Sequence, residues 1–162
     1  MARRSRHNGH DKYKMRINSL FDSYNEDNNP ESQAHSAKYL AVLVSGYLEQ
    51  AIKEVLLNYS SLGSRPQIAK YIESTWPISR NMSADNINNI LSHFNTHWSE
   101  KFSDWLKDDI IRKSHINSIV QWRNSIAHGQ ESNTTGVTLV SVRDSFITIK
   151  ELVKFIEETV KS

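Results

Sequence analysis

The sequence predicts an all-α protein: one helical bundle with a long central helix and an amphipathic helix near its C-terminal end. Glycine and proline, the residues that interrupt helices, number only 5 and 3 among 162 residues. Apolar residues recur at helical spacing through most of the chain. The stretch YLAVLVSGYLEQAIKEVLL starts apolar on nearly every side, then narrows to a stripe of Tyr47, Leu48, Ala51 and Val55, as expected of a helix at the centre of a bundle. A chain of this length fits one domain and can bury its own core. It contains no internal repeat and no low-complexity segment.

The elements follow in order. Arg3, Arg4 and Arg6, with His7 and His10, form a basic tail over residues 1–10, read as a solvated, disordered terminus or as an arm that attracts phosphate. The domain proper is expected over 11–162. Ile17, Leu20, Phe21 and Tyr24 share one face of a first helix, about Asp11 to Tyr24. Pro30 suits a helix start, so the long helix runs from near Glu31 to near Tyr59, and SSLGSRP ends it. A short helix near Gln67 to Ser74 stops at Trp76-Pro77. Ser83 is placed to cap a helix carrying Ile87, Ile90, Leu91 and Phe94, and another carries Trp98, Phe102, Trp105 and Leu106. Ser114 or His115 opens the next helix, which runs to His128, with Gly129 just past its end. Ser141, with Asp144 completing a capping box, opens the last. Its stripe of Val142, Phe146, Ile149, Val153, Ile156 and Val160 suits packing in the core or in a dimer.

Composition narrows the function only slightly. A net charge of +2 does not announce a nucleic-acid binder. The absence of cysteine excludes disulfides and thiolate metal sites. No apolar run is long enough for a membrane span or a signal peptide, so no membrane partner and a cytoplasmic location are expected. P-loop, GxGxxG and GxSxG motifs are absent, and no cofactor is expected. His93 and His97 have a spacing that can bind zinc on a helix, but HExxH is not formed and no third ligand is evident, so no metal site is assigned.

One helix is anomalous. With about 100° of rotation per residue, Ile116, Ile119, Val120, Ile126 and Ala127 cluster on one stripe, and Arg123 falls in its middle. A polar row of Asn117, Gln121, Asn124 and His128 runs beside it, with Asn124 and His128 pointing the same way. An arginine so placed must be paired, reach the surface, or line a cavity that holds an anion. Glu49 on the long helix is the best candidate partner for it, and a plain surface charge is the alternative reading of Glu49. His128 could cap the helix end or do chemistry.

Arg123 to Gly129, RNSIAHG, resembles the Arg-x(4–6)-His signature of HEPN domains, compact helical bundles of toxins, defence proteins and RNA-processing enzymes. Asn124 after the Arg and Gly129 after the His match its common form, and the long apolar helix and final amphipathic helix agree with its architecture. The chain looks most similar to the free-standing single-domain type found beside bacterial defence or toxin systems. The resemblance implies a HEPN-like bundle and metal-independent RNA cleavage, with Arg123, Asn124 and His128 as catalytic residues and Glu49, Gln121 and Asn117 in support. A catalytically silent module that binds RNA, nucleotide or protein is the alternative.

The implied chemistry suits these residue types. The RNA 2′-hydroxyl attacks the adjacent phosphate; a base takes its proton and an acid protonates the leaving 5′ oxygen. Histidine can serve as either, and Arg123 offers a planar, permanently charged fork for the phosphate. One motif per chain supplies one histidine, so the resemblance implies a homodimer whose two motifs share a cleft. A two-fold contact would also cover Ile116, Ile119 and Ile126. RNA is the expected substrate, and an antitoxin or another defence-system protein a possible further partner.

Overall fold

The computed structural model describes residues 9–162, so Arg3, Arg4, Arg6 and His7 lie outside the described residues. Among the described residues seven α-helices follow one another: α1 (Gly9–Asn25), α2 (Pro30–Gly63), α3 (Pro66–Thr75), α4 (Ala84–Phe94), α5 (Thr96–Asp108), α6 (Ile111–Ala127) and α7 (Leu139–Thr159). A short 3-10 turn, Glu131–Thr134, lies between the last two, and no strand occurs among the described residues. None of these helices is long and apolar enough to cross a membrane. The fold class is the one expected.

The 34-residue α2 is the axis, roughly 50 Å long at 1.5 Å per residue. Asn29 starts it, its side chain accepting the N–H groups of Glu31 and Ser32, with Pro30 at the first helical position. Helices α1, α3, α6 and α7 all pack on α2. Leu40, Val44, Tyr47, Leu48, Ile52 and Leu56 are therefore buried together with Ile17, Phe21, Ile116, Phe146, Ile149 and Leu152. Each large apolar side chain so covered contributes about 1.5–3 kcal/mol, which outweighs any weak local preference. Gly46 has a specific reason to be glycine. A Cβ there would lie 2.8 Å from the Tyr13 hydroxyl, so its absence leaves room for the Tyr13 side chain against α2.

Four expectations about this framework change. Gly9 and His10 belong to α1, not to the basic tail, and His10 is buried. Helix α6 begins at Ile111 rather than at Ser114 or His115, because the Asp109 side chain accepts the Ile111 N–H at 3.1 Å. The capping box of α7 pairs Thr138 with Ser141, so Ser141 is the inner partner of the box and Asp144 takes no part. His93 and His97 do not share a helix. Asn95 ends α4 and caps α5, and His97 instead faces Glu100 at 3.6 Å.

The stripe on α6 is also resolved. Ile116 and Ile119 are fully buried within the one chain, against α2 and α7, and the α7 stripe from Val142 to Ile156 is buried there too. The expectation that a two-fold contact is needed to cover Ile116 and Ile119 is therefore wrong. The bundle's own core covers them, because α6 lies between its two largest neighbours.

Candidate functional site

The site is built at the C-terminal end of α6. Gly129 adopts φ of 66°, a left-handed conformation that favours glycine. That turn lets the Gln130 N–H donate to the Ser125 carbonyl at 2.8 Å and the Gly129 N–H to the Ile126 carbonyl at 3.2 Å, the two bonds of a Schellman ending. The helix end is thus satisfied by backbone. The His128 side chain is exposed and makes no hydrogen bond among the described residues. It sits at the cap position without serving as the cap, which leaves its ring available to solvent and to a ligand.

Arg123 is half-buried, one helical step from Asn124. Its Nη1 donates to Asn124 Oδ1 at 3.2 Å. Guanidinium groups only donate, so the Asn124 amide must turn its oxygen toward Arg123 and keep its NH2 for other acceptors. Two sets of donors, guanidinium and amide, thereby stand side by side without a protein acceptor beyond this bond.

Glu49 is near but does not neutralise Arg123. No Arg123–carboxylate pair within 4.0 Å occurs among the described residues. Burial pushes the Glu49 carboxyl above its ordinary value, while the charge of Arg123 and the backbone N–H of Arg80 pull it down without cancelling the rise. A half-buried guanidinium held by an amide and only loosely matched by a carboxylate is an arrangement that welcomes a second anion.

The other members of the polar row separate. Asn117 faces away from this end; its Oδ1 accepts the Ala84 N–H at 2.9 Å and so satisfies the start of α4. Gln121 is exposed and makes no side-chain hydrogen bond among the described residues. Two residues the sequence reading passed over act on Glu49 instead: Arg80, by its backbone, and Tyr13, whose phenol is raised by burial and then by the charges of Tyr39 and Glu49 against the pull of Arg16. They belong to segments far from α6 in sequence, so no local pattern marked them.

Compared with families of known proteins, residues 11–162 match RiboL-PSP-HEPN. The chain belongs to the RiboL-PSP-HEPN family. The match spans nearly the whole chain, so the HEPN resemblance first seen in RNSIAHG extends from α1 to α7. No curated protein and no solved structure matches the chain. The HEPN families include ribonucleases, and HEPN domains bind RNA and often dimerise. In this RiboL-PSP-HEPN chain the Arg and His of the motif lie at one helix end, half-buried and exposed respectively, with the Asn bonded to the Arg. Among the described residues no three His, Cys, Asp or Glu side chains gather as a metal site would require. A wider groove of about 570 Å³, lined by Tyr59, Leu62, Ile72, Phe94 and Val160, includes no residue of α6 and offers mainly apolar surface, the wrong chemistry for phosphate.

Proposed function

We propose that this chain is a metal-independent endoribonuclease acting through Arg123, Asn124 and His128. The observation that supports it most is the loosely matched, half-buried Arg123, bonded to Asn124 and followed at the same helix end by an exposed His128. Arg123 and the Asn124 amide hold the phosphate oxygens as negative charge builds on them. The 2′-hydroxyl oxygen forms a bond to phosphorus as its proton passes to a base. The bond from phosphorus to the 5′ oxygen breaks, and that oxygen receives a proton. The products are a 2′,3′-cyclic phosphate and a 5′-hydroxyl.

His128 supplies one of the two proton transfers. In this proposal a homodimer supplies the other from the partner's motif. Val140 and Ile147, apolar and 65% and 45% exposed on the outer face of α7, are the surface assigned to the two-fold contact. Sedimentation at micromolar concentration should show a dimer, and activity per chain should fall on dilution through its dissociation. A fully active monomer would remove the shared cleft. In the cell the enzyme acts as a toxin or antiphage effector, restrained by an antitoxin or another defence-system protein. Growth arrest on expression, relieved by His128→Ala, is the expected outcome.

The deciding experiment is cleavage of RNA by wild type and His128→Ala, in EDTA, with end-group analysis. Cyclic phosphate ends from the wild type alone are expected; activity that chelation abolishes and Mg²⁺ restores would sink the mechanism. A second reading, a silent module that binds RNA, nucleotide or protein, draws on the exposed Leu62, Ile68 and Tyr71 around α3. It requires wild type and His128→Ala to be equally inert.

A further inference from the structure

The chain between α3 and α4 runs beside Gly46, Glu49 and Lys53 of α2. There the Arg80 guanidinium lies over the Trp76 ring, 5.3 Å from its centroid, and Ile78 is fully exposed. Trp76 and Arg80 line, with Gly46, Glu49 and Lys53 of α2, a small polar cleft of about 100 Å³, room for about three waters or for the edge of one flat ring. Tyr13 closes over Gly46 beside it. Glu49 is thus shared between two places: it lines this cleft, and it feels the charge of Arg123.

Lys53 and Arg80 suit a phosphate at the rim of the cleft, while the Glu49 carboxylate in its wall is an acceptor. It suits a group that donates. The Trp76 ring beside it, with the Arg80 guanidinium carbon 5.3 Å from its centroid, suits a planar ring. Single-stranded RNA presents both features in one object, a splayed base whose face stacks on Trp or Arg and whose Watson–Crick edge carries N–H groups. Guanine offers two donors on that edge, N1–H and N2–H, and the carboxylate that accepts the Arg80 backbone N–H keeps lone pairs on both oxygens for them. Adenine and cytosine offer one amino group each. Uracil offers a single N3–H between two carbonyl oxygens that oppose a carboxylate.

We propose that the cleft between α2 and residues 76–80 is a base subsite that selects an amino-bearing nucleotide, guanine above all, next to the phosphate held by Arg123. Glu49 reads the base edge, Trp76 and Arg80 stack the ring, and Lys53 meets the flanking backbone. This deepens the ribonuclease reading and rests on it for the position of the scissile phosphate.

The test uses His128→Ala protein and short uridine oligoribonucleotides that carry one central G, A, C or U. Affinity is read from fluorescence anisotropy and from Trp emission. The central-G oligonucleotide should bind about ten- to a hundredfold more tightly than the all-uridine one, with A and C between. Adding Glu49→Gln should remove that preference, because an amide can serve uracil as well as guanine. Adding Trp76→Ala should weaken all four oligonucleotides alike. Equal binding of all four, or a preference that survives Glu49→Gln in a protein with a wild-type melting curve, would overturn the subsite. The wild-type series reads the preference even should a variant fail to fold. If the preference holds but wild type cuts none of the four, the ribonuclease reading fails and the subsite stands. If all four are cut without preference, the reverse is true.

Discussion

Two histidines at two places in this bundle show how burial divides structure from chemistry. His10 is 1% exposed. Its Nδ1 lies 2.7 Å from Glu54 Oε2 and its Nε2 3.1 Å from Glu157 Oε1, while its backbone N–H donates to Glu54 at 3.0 Å. Gln50 adds a bond to the second Glu54 oxygen at 2.8 Å. Both ring nitrogens are occupied, so His10 fastens the start of α1 to α2 and α7 and has no valence left for a substrate. His128 is the converse: exposed, without a side-chain partner among the described residues, on a helix end that backbone bonds already complete. The first ring is held, and the second is free to move a proton.

That contrast can be broken from either side. The largest effect is expected from His128→Ala, with turnover on RNA lower by about 10²–10⁴-fold and a melting temperature near wild type, since an exposed ring is removed. A variant that melts early, or one that still cuts RNA, would put His128 on the structural side. Arg123→Lys should come next. It keeps the charge but loses the planar fork that bonds Asn124, so turnover should fall about 10–100-fold with the helical circular dichroism signal unchanged. Unfolding instead would mean that Arg123 serves the core and that Glu49, despite the gap between them, is its partner.

For His10→Ala the sign should reverse. Stability should drop by about 1–3 kcal/mol in chemical denaturation, with turnover per folded chain unchanged. The upper half of that range is less favoured because Glu54 and Glu157, 22% and 29% exposed at their side chains, can turn partly to water. The smallest effect is one of pH. Burial pushes the Glu54 carboxyl up, but hydrogen bonds from Gln50 and from the backbone and ring of His10, with the attraction of His10, outweigh it and leave it below the ordinary 4.5. A depressed carboxyl stabilises above its unfolded value and loses that contribution as pH falls through the folded one. The stability gap between wild type and His10→Ala should therefore narrow as pH falls below about 4.5. Denaturation series at several acidic pH values would show a constant gap if the Glu54 contact contributed nothing.

The helices were legible residue by residue, because their cause is local. Period, breakers and caps lie within a few residues of one another, so α2, the Ser83 cap, the Gly129 ending and the stripe of α7 could be read directly. The sequence also placed Arg123, Asn124 and His128 at one helix end, since their spacing is short. What each side chain serves depended on packing between helices. Asn117 and Asn124 belong to the same polar row, yet the first serves the start of α4 and the second bonds Arg123. Ile116 and Ile119 suggested a dimer until α2 and α7 covered them. His10 looked like part of a basic tail because its partners are 44 and 147 residues away in the chain. The cleft beside Glu49 joins α2 to the Trp76–Arg80 segment in the same way. Burial and pairing across such distances depend on how helices cross, and no short-range pattern carries that information.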